Sequence, residues 1–133
     1  MKRLFLMICA LIGVFLFVSC GEKENNQNPL KGTLWAYSYE NYISHETIFE
    51  YLEFTDDTHV VHWNTNDAIR GNGTYTYSGN SITFSNLKFK IGPFSSEENL
   101  YKSATFTAKS MVVSYEIPGY SLGHDMTKNY IKQ

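Results

Sequence analysis

From residue 30 onward the chain alternates. In residues 73–85, GTYTYSGNSITFS, the apolar positions Tyr75, Tyr77, Ile82 and Phe84 are separated by Thr74, Thr76, Ser81 and Thr83. A period of two marks half-buried strands, and Gly79-Asn80 between them reads as a two-residue hairpin turn, since both residues tolerate positive φ. That turn sets Tyr77 opposite Ile82 and Tyr75 opposite Phe84, so the two strands agree on the buried face. Residues 104–116, ATFTAKSMVVSYE, repeat the device. A turn at Lys109-Ser110 pairs Ala108 with Met111, Phe106 with Val113 and Ala104 with Tyr115, and leaves Thr105, Thr107, Ser114 and Glu116 facing water. Further strands are expected over Thr33–Tyr39, Thr47–Thr55, Thr58–Thr65, Leu87–Ile91 and Met126–Lys132. No helical period of useful length is present. About eight short strands with frequent turns predict an all-β fold, an antiparallel barrel or a sandwich.

The hairpin in residues 51–63, YLEFTDDTHVVHW, admits two registers. A tight turn at Asp56-Asp57 pairs Phe54 with His59 and Leu52 with Val61. A loop one residue longer pairs Leu52 with Val60 and turns His62, not Trp63, inward. A one-residue slip exchanges the faces of a whole strand. The longer loop is favoured because Asp-Asp lacks the glycine of tight turns, and it lets Glu50 and His62 meet across the sheet inside the barrel.

The first thirty residues follow a different pattern. Lys2 and Arg3 precede an uncharged run from Leu4 to Val18. As a helix that run is roughly 22 Å long, short of the ~30 Å hydrocarbon core, so it reads as a secretory signal. Phe17-Val18-Ser19-Cys20 closes it and resembles the lipobox of bacterial lipoproteins. The resemblance implies that residues 1–19 are removed and that Cys20 becomes an acylated N-terminus, lipid-anchored in the cell envelope at the outer membrane. Two or more acyl chains hold a protein firmly where one does not. Residues 20–29 then form the lipidated cysteine and a hydrated tether, and residues 30–133 the folded domain.

Loss of residues 1–19 leaves nine basic and thirteen acidic residues, a net charge of −4. No basic face for nucleic acid is implied. Cys9 leaves with the signal and Cys20 carries lipid, so the core must hold by packing alone. Gly32-Thr33-Leu34-Trp35 opening the first strand, Leu52-Glu53-Phe54 before an acidic turn, and Gly73-Thr74-Tyr75 leading into the Gly-Asn hairpin resemble the lipocalin-like (calycin) domains of lipoproteins from gut Bacteroidota. Tyr130 in a last strand that closes the sheet fits the same pattern. The resemblance implies an eight-stranded up-and-down barrel around a cavity for a small apolar molecule.

Candidate chemistry is sparse. His59 and His62, three apart in a strand, point to opposite faces and cannot share a metal; His45-Glu46 and His124-Asp125 are adjacent pairs without ligand spacing. No metal, cofactor or catalytic group is expected, and the chain is not expected to be an enzyme. The informative feature is aromatic. Trp35, Tyr37, Phe54, Tyr75, Tyr77, Phe84, Phe106 and Tyr115 fall on inward faces, with His62 beside them in the longer-loop register. Eight-stranded barrels are often filled by such side chains, but polar-tipped tyrosines also suit a ligand pocket with a few orienting groups. The leading expectation is a lipid-anchored barrel that binds a small apolar or amphipathic ligand. The alternative is a solid-core interaction or inhibitor module. It would meet a protein or glycan through barrel-end loops carrying Phe94 and Tyr120.

Overall fold

Among the described residues nine strands form, all antiparallel to their neighbours: β1 (Thr33–Glu40), β2 (Thr47–Phe54), β3 (His59–Asn64), β4 (Arg70–Ser78), β5 (Ser81–Phe89), β6 (Glu98–Asn99), β7 (Tyr101–Phe106), β8 (Ser110–Tyr115) and β9 (Met126–Lys132). They belong to a computed structural model that describes residues 27–65, 70–89, 98–117 and 126–133. Cys20, most of the tether, Phe94, Tyr120 and the His124-Asp125 pair lie outside the described residues. Consecutive strands pair from β1 to β5 and from β7 to β9, β5 pairs with β7, and β9 returns to β1. Only Leu100 separates β6 from β7, and both run along β5. The result is a closed, eight-stranded, up-and-down barrel.

The Gly79-Asn80 hairpin has the expected register, Tyr77 opposite Ile82 and Tyr75 opposite Phe84. Gly79 alone takes positive φ, at 59°, the form in which glycine occupies the first central position. The other two hairpins keep the expected faces but shift their partners. Phe54 pairs with Val60 and Leu52 with His62, so His62 points inward as the longer loop requires, while Trp63 stacks on Tyr51 outside at 4.1 Å. The loop is set by Asp56, whose Oδ1 accepts the backbone N–H groups of Thr58 and His59, each at 2.7 Å. Likewise Phe106 pairs with Met111, not Val113. Thr107 closes that turn by accepting the N–H groups of Lys109 and Ser110.

Two bulges reset the alternation. On β5, Asn86 at φ 54° is an extra residue, with the slip falling opposite Gly73. It returns Leu87 to the interior after Phe84, and it makes 81–89 one strand where a separate strand from Leu87 was expected. On β7, Lys102 is extra, so Tyr101 points inward together with Ala104. A bulge adds one residue to one strand and bends it. A strict period of two would have sent both Leu87 and Tyr101 to the solvent.

The two ends of the barrel differ. Residues 55–58, 79–80 and 107–109 make short turns at one end, and the segment Asn28–Gly32 folds beneath them. Leu30 is fully buried there against the interior cluster. Gly32, at φ 72°, donates its N–H to the carbonyl of Phe54 at 2.7 Å. Asn28 and the backbone carbonyl of Asp56 both bond the Tyr75 hydroxyl, and Lys31 pairs with Asp57. This end is sealed. At the other end the connections are long, spanning 41–46, 65–69, 90–97 and 116–125.

Candidate functional site

Within the sealed half, Trp35, Phe54, Tyr75, Phe84, Ile82, Met111 and Val113 are buried and packed together. Phe54 meets Tyr75 edge to face with ring centres 4.7 Å apart, a favoured aromatic geometry. Trp35, Phe54, Tyr75 and Phe84 therefore fill the barrel, and the half-buried Phe106 packs on the same cluster. Tyr77 shares their strand face but lies at the hairpin tip, 38% exposed.

Toward the open end the interior changes character. β2 buries Ile48, Glu50, Leu52 and Phe54 in strict alternation, which places a carboxylate on an otherwise apolar face. Around it gather Tyr101 from β7, Lys128 and Tyr130 from β9, and His62 from β3. Glu50 Oε2 accepts from Lys128 Nζ at 2.6 Å and lies 3.1 and 3.2 Å from the hydroxyls of Tyr101 and Tyr130. Those hydroxyls are 2.6 Å from each other. His62 Nε2 stands 3.7 Å from the same carboxylate oxygen, the polar pair expected inside the barrel, reached from the neighbouring register position.

The electrostatics follow from these contacts. Burial pushes the Glu50 carboxyl up, but His62 and Lys128 outweigh it and bring the group down from 4.5 to about 2. It is therefore ionised at neutral pH. Burial first, then the Tyr130 phenol and the Glu50 carboxylate, hold the Tyr101 hydroxyl well above the ordinary range; burial and then Glu50 do the same for Tyr130, against the hydrogen bond with Tyr101. Both stay protonated and can donate to Glu50.

Lys128 is also enclosed by aromatic faces. Its Nζ lies 5.4 Å from the ring centre of Tyr37, 5.6 Å from Tyr101 and 5.1 Å from Tyr115, all within the ~6 Å reach of a cation–π contact. Above it a cleft of about 240 Å³ opens between Tyr37, Tyr39, Glu50 and Lys128. Of the aromatic residues expected inside, Tyr37 and Tyr115 belong to this site, and His62 borders it through Glu50. Tyr101 and Lys128 were not singled out in the sequence. Tyr101 is hidden by the bulge at Lys102, and Lys128 by reading as an ordinary surface lysine. Among the described residues no three His, Cys, Asp or Glu side chains are gathered to hold a metal ion. No family model, curated protein or solved structure matches the chain.

Proposed function

We propose that the protein is a lipid-anchored, lipocalin-like binding barrel of the bacterial outer membrane. It is not an enzyme, and it takes a small amphipathic ligand at its open mouth. One observation carries the reading: the barrel is packed solid at its sealed end, while a cleft with apolar walls and a few fixed polar groups opens at the other. Pockets for drug-sized ligands run to ~300–1,000 Å³; a cleft of about 240 Å³ suits a headgroup and a short chain. The chain also enters the barrel at its sealed end, through Asn28. A tether from an acylated Cys20 would thus hold the sealed end toward the bilayer, within about 28 Å, and leave the mouth facing away from it.

The barrel closes within residues 28–133, so the chain from Gly21 onward is the material to test. Titration calorimetry with octyl-chain amphiphiles should show one site of micromolar affinity, about −8 kcal/mol. Native mass spectrometry of protein extracted from its own membranes should show a bound small molecule. Absence of both, from a barrel intact by circular dichroism, turns the assignment to the solid-core module acting through its loops.

A further inference from the structure

At the mouth of the barrel one side chain occupies a site whose every other feature suits what that side chain carries. The Glu50 carboxylate and the ring faces of Tyr37, Tyr101 and Tyr115 converge on a single point, and Lys128 Nζ fills it. Ring faces carry negative quadrupole density, and a carboxylate beside them completes a receptor for an ammonium. The receptor is held in place by strand positions and by the hydroxyls of Tyr101 and Tyr130 on Glu50. Lys128 is the adaptable part: a charge on a flexible four-carbon stem, 16% exposed, on the strand that begins at the mouth with Met126.

We infer that the barrel mouth is an aromatic cage for organic ammonium ligands, in which Lys128 is an internal occupant that a primary or quaternary amine displaces toward solvent. This names the ligand class of the site proposed above and rests on that reading. An anionic headgroup fits poorly. To reach Lys128 it must approach Glu50, 2.6 Å from the ammonium, and it meets the repulsive faces of the tyrosine rings. The cleft opening directly above the cage supplies room for the remainder of a short ligand. A net charge of −4 on the mature chain also favours the approach of cations.

The test compares octylammonium, octanol and octanoate, matched in chain length, on the chain from Gly21 onward at neutral pH. Octylammonium should bind the wild type at least about tenfold more tightly than octanoate. Lys128→Met, which removes the competitor, should raise its affinity further, and octylammonium but not octanoate should raise the melting temperature of that variant by linkage. Tyr115→Leu, which takes away one half-buried wall, should weaken octylammonium by about three- to fivefold and leave octanol unchanged. It keeps the test open even if Lys128→Met does not fold. Equal binding of the three probes overturns the cage and leaves the ligand-binding barrel standing. Preferred octanoate binding that is lost in Lys128→Met overturns it in favour of an anion site. Binding of none overturns the ligand-binding reading itself, and the cage with it.

Discussion

Glu50 and Lys128 are 78 residues apart in the chain, and their charged atoms meet at 2.6 Å inside the barrel. They come from β2 and β9, which are not neighbours; β1 runs between them. The ladder joining β1 to β9 is short, with Trp35 opposite Lys132 and Ala36 opposite Ile131. Gln133 extends it by donating its N–H to the carbonyl of Leu34. The ion pair and the contacts of Glu50 with the Tyr101 and Tyr130 hydroxyls span this closing seam from within. The cluster that forms the candidate site is therefore also a staple across the place where the barrel closes.

Acid should open that staple. Glu50 titrates at about 2 in the folded protein against 4.5 when free, so the unfolded chain binds the proton more readily than the native one. Its stabilisation is complete above about pH 5 and disappears as the pH falls from 4.5 through 2. The gap corresponds to ~3 kcal/mol. Urea denaturation between pH 7 and 2 should show this loss in the wild type and a flatter profile in Glu50→Gln. Asp56, also held at about 2, contributes to both proteins and cancels in the comparison. Parallel profiles would remove Glu50 from the account.

Removing the other partner has a different signature. Lys128→Met leaves a buried carboxylate with its tyrosine donors and His62 but without its closest cation. Breaking a buried pair from one side costs ~3–5 kcal/mol; with Lys128 partly exposed, the lower end is expected. Hydrogen exchange should locate the damage. Amides of β9 should lose protection first and by the largest factor, while those of the β4–β5 hairpin keep theirs relative to the global stability. Uniform loss across all strands would contradict a staple at the seam.

Gly73 offers a test of the bulge. A Cβ added there would lie 2.5 Å from the Cα of Leu87, a backbone atom that cannot yield without moving the strand. Gly79→Ala meets nothing within 4 Å and carries only the strain of φ 59°, worth ~1–2 kcal/mol. Overpacking in a core costs ~1–3 kcal/mol and sometimes more. Gly73→Ala should accordingly be the more destabilising of the two by urea denaturation, and it should perturb the chemical shifts of Leu87 and Asn86. Equal costs would mean that the close approach relaxes freely.

How much of this was legible in the sequence depends on what breaks the period of two. The Gly79-Asn80 hairpin was readable because uninterrupted alternation on both sides agrees with the turn residues. The partners of the other hairpins were not readable from the turn dipeptide. Side chains within the loops, Asp56 and Thr107, accept from the backbone N–H groups that follow them and decide where the strand restarts. The faces survived because a slip of two residues preserves them. Tyr101 was out of reach, since an extra residue at Lys102 inverts its face and leaves no compositional mark. Glu50 was half legible, a lone carboxylate on an apolar face, but Lys128 as its cation depends on closure of the whole barrel.

The remaining prediction concerns the anchor, and the fold gives it a geometric consequence. Asn28 is tied to Tyr75 at the sealed end, so whatever precedes it departs from there. If Cys20 is acylated, Cys20→Ala should abolish labelling of the protein by an alkyne fatty acid. It should also either release the protein from membranes or leave the uncleaved precursor there. With the wild type in place, single cysteines for maleimide labelling can be put at Ser81, beside the Gly79-Asn80 turn, and at Ile43, in the β1–β2 connection at the mouth. Both positions are exposed. In Cys20-anchored protein on vesicles, a quencher confined to the bilayer should dim a fluorophore at position 81 more than one at position 43. The difference should vanish in protein beginning at Gly21. Undiminished acyl labelling of Cys20→Ala would end the case for the anchor. Stronger quenching at position 43 would keep the anchor but turn the barrel over, with its mouth against the membrane.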